Sequence, residues 1–88
     1  MTLTNIQFEL LDQLYFTMEY YALCQNLSLT GAELDAELKQ LLELRLIHQL
    51  IYNEQSKEYD FCEEINLERL HTSSYVITKQ GLIIHNGR

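Results

Sequence analysis

The sequence predicts an α+β domain: three helices, a β-hairpin and a short closing helix. Three observations predict it. A helix-start signature recurs, at LTNIQF, FTMEYY, LTGAEL and ITKQGL. Leucines and aromatics fall at helical spacing behind the first and third of these. After Leu46 the chain turns to β-branched and aromatic residues with strand-like alternation.

Each element follows in order. In LTNIQF, Thr4 can cap a helix, Gln7 can reach back to the cap, and Leu3 can pack on Phe8. That is a capping box with a hydrophobic staple. It predicts a first helix from about Asn5 to Tyr15, with Phe8, Leu11, Leu14 and Tyr15 as its apolar stripe. FTMEYY is a weaker version, with Thr17 as cap and Phe16 stapling Tyr21, and predicts a second helix over Met18–Asn26. LTGAEL repeats the full device with Leu29, Thr30, Glu33 and Leu34. A third helix then runs from about Gly31 to Leu44, with Leu34, Leu38, Leu41 and Leu42 inward. The short turn Asn26–Leu29 makes the second and third helices a helix-turn-helix pair.

IHQLIYN reads as a strand, NEQSKE as a polar hairpin loop and YDFCEEI as the returning strand, alternating Tyr59, Phe61 and Ile65. NLERLHTS fits either one helical turn or a loop. SSYVIT reads as a further strand. ITKQGL, with Ile77, Thr78 and Leu82, opens a last short helix, and Asn86-Gly87 stops it through a left-handed glycine.

Eighty-eight residues suit one domain, over 1–88, with one modest core. No apolar run reaches the roughly 18 to 20 residues that a bilayer span needs, and the first residues lack signal-peptide character. No membrane contact and a cytoplasmic location are the expectation. Net charge is −7, and residues 1–38 carry six acidic groups and no Lys or Arg. Such a surface repels phosphate, which disfavours strong non-specific nucleic-acid binding.

Two pieces carry a family resemblance. LLELRLIHQL looks like the join of a Leu-rich third helix to a wing strand, and YVITKQGL like an aromatic-x-Leu-Thr-x-x-Gly close of the wing. On these the chain resembles winged helix-turn-helix domains of bacterial transcription regulators, the MarR, PadR and ArsR-like groups. One residue departs from the pattern: Arg45 stands where the family often has Gly, at the left-handed exit of the third helix. The resemblance implies a winged helix-turn-helix fold and a double-stranded DNA site on the third helix and wing tip. That site maps onto Ala32, Asp35, Ala36, Lys39, Gln40 and Glu43 with Gln55, Ser56 and Lys57. Gln40 can pair with adenine, and Lys39 or Lys57 can reach phosphate. Asp35 and Glu43 oppose that phosphate, and an ordinary solvated face explains the same residues. The resemblance also implies a homodimer formed through the first or last helix.

YFTMEYY concentrates Tyr15, Phe16, Tyr20 and Tyr21. Most are expected to fill the core, Phe16 and Tyr21 above all. Four large rings in seven residues are hard to bury completely, so part of the cluster also reads as a protein interface. Cys24 and Cys62 form no CxxC pair and read as free, half-buried thiols. His48, His71 and His85 lack metal-ligand spacing, and Glu63, Glu64 and Glu68 read as a solvated edge. No nucleophile constellation or phosphate-binding glycine loop accompanies them, so no enzyme and no cofactor is expected. Two functions remain: transcription regulation through DNA, or an acidic winged helix that binds protein as an adaptor.

Overall fold

The structure is a computed structural model, and it describes residues 2–87. Its helices are α1 (Asn5–Gln13), α2 (Tyr20–Leu27), α3 (Gly31–Glu43) and α4 (Lys79–Asn86), with a 3-10 turn over Leu67–Thr72. Its strands are β1 (Met18–Glu19), β2 (Ile47–Asn53), β3 (Glu58–Phe61) and β4 (Ser74–Ile77). They form one antiparallel sheet in the order β1-β4-β2-β3. No helix of the described residues is long and apolar enough to cross a membrane.

Three of the four capping signatures act as caps. Thr4 and Thr30 both form complete capping boxes, with Gln7 and Glu33 reaching back to the cap amides at 3.0 Å. Thr78 Oγ1 accepts from the Gly81 amide at the start of α4. The fourth fails. Met18 and Glu19 pair with Tyr75 and Ser74 as β1, so the second helix begins two residues later than its sequence signature suggests. Glu19 stands at its N-cap without a side-chain bond, and the Thr17 cap and Phe16–Tyr21 staple do not form. The reason is tertiary: β4 has an open edge there, and two residues of extended chain satisfy its backbone groups.

The core is a leucine cluster from α1, α2 and α3 packed on one sheet face. Leu10, Leu11, Leu23, Leu34, Leu38 and Leu41 are fully buried, and Ile47, Tyr75 and Ile77 come from the sheet. Strand register sends Gln49 to that same face, opposite Tyr75. Glu19, Ser74, Leu50 and Phe61 form a row on the other face, one residue from each strand. β3 is an edge strand with all four residues exposed, and Glu58 and Asp60 guard it against further pairing.

The two pieces LLELRLIHQL and YVITKQGL meet in space. Arg45 is left-handed, with φ 59°, as the exit of α3 requires. The Leu46 amide donates to Leu41 O and the Arg45 amide to Leu42 O, both at 3.0 Å, which is a Schellman termination. Thr78 then latches this exit: its hydroxyl donates to Arg45 O at 2.9 Å and its amide to Leu46 O at 3.0 Å. Gly81 completes the contact. A Cβ there would fall on the Leu46 carbonyl oxygen and lie 2.7 Å from Ile77 Cγ1. The expected left-handed stop at the far end of α4 does not occur, because Gly87 takes φ −84°.

The connection from β3 to β4 is held by two buried side chains, Gln49 above all. Gln49 Nε2 donates to Asn66 O and to Ser73 Oγ, and Gln49 Oε1 accepts from the Asn66 amide, each at 2.9 Å. Tyr75 adds a bond from its hydroxyl to Leu70 O at 2.6 Å. The stretch that fits turn or loop by sequence is therefore a 3-10 turn strapped to the sheet.

Candidate functional site

The outward face of α3 presents Ala32, Ala36, Lys39, Gln40 and Glu43, all exposed. Lys39 is the only basic residue along the helix. Asp35 does not project freely from this face. Tyr20 donates to its Oδ1 at 2.7 Å, and His71 Nε2 lies 3.0 Å from both of its oxygens. His71 in turn stacks on the Tyr20 ring, with centroids 4.4 Å apart. Burial raises the Asp35 pKa, but the bonds from His71 and Tyr20 outweigh it and hold the carboxyl below its ordinary value. Burial, with Asp35 second, pushes the Tyr20 hydroxyl well above the ordinary tyrosine range. Asp35 is thus a structural anchor between α2, α3 and the 3-10 turn.

The hairpin tip presents Gln55, Ser56 and Lys57, all exposed. Asn53 Oδ1 organises it by accepting from the Gln55 and Ser56 amides. Lys57 takes φ 57° and its amide returns to Asn53 O at 2.7 Å. The predicted DNA-facing residues therefore divide. Ala32, Ala36, Lys39 and Gln40 share one helix face, Lys57 sits at the tip of the hairpin, and Asp35 is engaged elsewhere.

The aromatic cluster sorts against the expectation for the core. Tyr20 is the buried member, 2% exposed, so its ring is not free for contact with another protein. Phe16 and Tyr21 are 79% and 65% exposed. A two-residue strand before α2 shifts the helical phase, so Tyr20 takes the inward position expected of Tyr21. Tyr15 is part-exposed and bound: its hydroxyl donates to Asn86 Oδ1 and lies 2.8 Å from His85 Nδ1.

Tyr21 opens onto a groove of about 370 Å³ bordered by Glu19, Tyr52, Tyr59 and His71. Tyr52 and Tyr59 are direct cross-strand partners, with ring centroids 5.3 Å apart and planes 72° apart. Tyr20 and Tyr21 meet edge to face at 5.2 Å with planes at 90°. Comparison with known proteins gave no match: no family model, curated protein or solved structure matches the chain. The chemistry of the groove is aromatic side chains with one carboxylate, Glu19, beside them.

Sequence reasoning passed over Tyr52, Tyr59 and His71 as members of one site. A signal for the first two exists. Closing NEQSKE so that Asn53 faces Glu58 places Tyr52 opposite Tyr59. For His71 there is no local signal, because its position depends on the strap around Gln49.

A second cleft, of about 750 Å³, lies between the end of α3 and the segment after β3. Leu42, Ile47, Phe61 and Ile65 give it apolar surface, and Glu43, Glu63 and Glu64 line it too. Cys62 borders it, and burial raises its thiol pKa despite the opposing influence of Arg69. Cys24 and Cys62 are both free and half-buried.

Proposed function

We propose that the chain is a winged helix module that docks onto protein rather than reading DNA. The winged helix reading is supported by the order of its elements and by the α3–β2 join with its left-handed Arg45. It is supported too by β1, which brings the segment between the first two helices into the sheet beside β4. In this reading β2 and β3 are the wing.

One observation carries the docking function: the groove between α2 and the β2–β3 hairpin is walled by exposed tyrosines. Tyr brings large apolar area and a polar tip to interfaces at low entropic cost, and it is enriched there. The outward face of α3, by contrast, offers a single lysine to a phosphate backbone. DNA affinity comes mainly from phosphate neutralisation, and a chain of net charge −7 starts with the opposite field.

The test pairs two measurements. Fluorescence anisotropy with a random duplex and with the protein's own upstream DNA should show no binding at low salt. Binding whose affinity falls steeply with salt would restore the regulator reading. Capture from native lysate by wild type and by Tyr59→Ala should give partner lists that differ. Identical lists would remove the groove from the function.

A further inference from the structure

We infer that the tyrosine groove is a receptor for one cationic side chain, an arginine or lysine presented by a basic segment of the partner. This rests on the protein-docking reading and specifies its chemistry. Three features argue for it. Tyr21, Tyr52 and Tyr59 border the groove from two separate parts of the chain, α2 and the β2–β3 hairpin. Within each neighbouring pair the rings are not coplanar: Tyr21 meets the buried Tyr20 edge to face at 90°, and Tyr52 meets Tyr59 at 72°. Three exposed phenol rings thus border one groove, and an aromatic face attracts a cation through its quadrupole.

The second feature is charge. Glu19 borders the groove and is exposed, and its position is set by pairing with Ser74 at the end of β1. Among the described residues that border the groove there is no Lys or Arg, and the one ring there that can carry positive charge, His71, is already paired with Asp35. The third feature is size. A groove of about 370 Å³ admits a guanidinium or ammonium head with part of its stem, and it lies near the lower end of the roughly 300–1,000 Å³ range of ligand pockets. An acidic anchor would be opposed by Glu19, and a purely aliphatic one would gain nothing from it.

The probe is a capped Gly-Gly-Arg-Gly-Gly peptide titrated into the isotopically labelled full chain and followed by amide and tyrosine ring shifts. The control is the same peptide with citrulline, which keeps the shape of arginine and removes its charge. The arginine peptide should shift Glu19, Tyr21, Tyr52 and Tyr59 together, and the citrulline peptide should bind at least about fivefold more weakly, the factor equivalent to one cation–π contact. Tyr59→Ala and Tyr21→Ala should each weaken the arginine peptide by a similar factor, while Tyr59→Phe retains binding. Both rings are exposed and lie on different elements, so loss of fold in one variant leaves the other to decide. Glu63→Gln with Glu64→Gln should leave binding unchanged.

Equal binding of the two peptides would overturn the cation site and leave protein docking standing. So would shifts that follow Glu63 and Glu64, which mark general attraction to an acidic surface. Selective arginine binding together with lysate partners indifferent to Tyr59 would do the reverse: the cation site stands and the docking reading falls.

Discussion

Arg45 holds a backbone conformation that favours glycine, and three hydrogen bonds keep it there. A left-handed L-residue costs roughly 1 to 2 kcal/mol relative to a right-handed one, while the Schellman bonds and the Thr78 hydroxyl oppose that cost. Arg45→Gly should therefore stabilise the chain by about 1 kcal/mol, a rise in melting temperature of roughly 4 to 8 °C for a domain this size. Gly81→Ala should do the opposite, costing about 3 kcal/mol or more, because the added methyl meets backbone that cannot swing away. Urea titration of both variants checks the pair. Were Gly81→Ala neutral, the latch between α4 and the α3 exit would not be tight.

Asp35 gives a pH prediction at the same scale. Its folded pKa is depressed by His71 and Tyr20, so the unfolded chain binds more protons as acid is added. The stability it contributes is present above the ordinary carboxylate pKa of about 3.9 and is lost as pH falls through the lower folded value. The Asp35→Asn variant, which cannot titrate, should lose less stability between about pH 5 and pH 2 than wild type. Parallel acid-unfolding curves would show that Asp35 is not the group responsible.

At the scale of elements, the connection between β3 and β4 depends on Gln49. Its amide pairs with both backbone groups of Asn66, as a neighbouring strand would, and also holds Ser73. Replacing it by Leu fills the space but leaves the Asn66 amide without its partner and the Asn66 carbonyl with the Arg69 amide alone. The expected loss is about 2 to 4 kcal/mol. Hydrogen exchange should localise the effect to residues 62–73. Because this strap also positions His71 against Asp35, Gln49→Leu should disturb the tyrosine groove while leaving the α1–α4 contact intact.

Of the described strands and helices, β3 is the least covered. All four residues of β3 are exposed, and the Tyr52–Tyr59 pair lies on the open part of the hairpin. An edge pair of this kind contributes about 0.5 to 1 kcal/mol. That small sum makes the tyrosines replaceable without unfolding the chain, which is what the binding tests need.

Across the whole molecule, the two ends of the described chain are closed on each other. His85 stacks on Phe8 with centroids 4.2 Å apart and meets the Tyr15 hydroxyl, so α4 seals against α1. The homodimer expected through the first or last helix would have to use what this contact leaves outside, chiefly Ile6 and Ile83, both exposed. His85→Ala should cost about 2 kcal/mol and raise amide exchange in both helices together. If only α4 responded, the two helices would not behave as one unit. The charge field acts at this scale too. The first 38 residues carry six acidic groups and no Lys or Arg, so any basic partner would gain in encounter rate and the gain would shrink with salt.

The helix caps, the inward leucines, the hairpin and the α3–β2 join were legible in the sequence because each depends on residues a few positions apart. Thr4 needs only Gln7, Thr30 only Glu33, and Leu34, Leu38 and Leu41 need only helical periodicity. The left-handed position of Arg45 is implied by the family resemblance, in which Gly often stands there, and not by the residue itself. What the tertiary structure alone decided was everything that depends on an open edge or a distant partner. The free edge of β4 made Met18–Glu19 a strand and so turned Tyr20 inward and Tyr21 outward. Gln49 set the path of residues 62–73 and brought His71 to Asp35, 36 positions away. The tyrosine groove follows from both, since α2 and the β2–β3 hairpin come together only when the sheet has formed. Local propensity fixes which residues a helix or strand contains, but which side chains face solvent together is set by which backbone groups still need a partner.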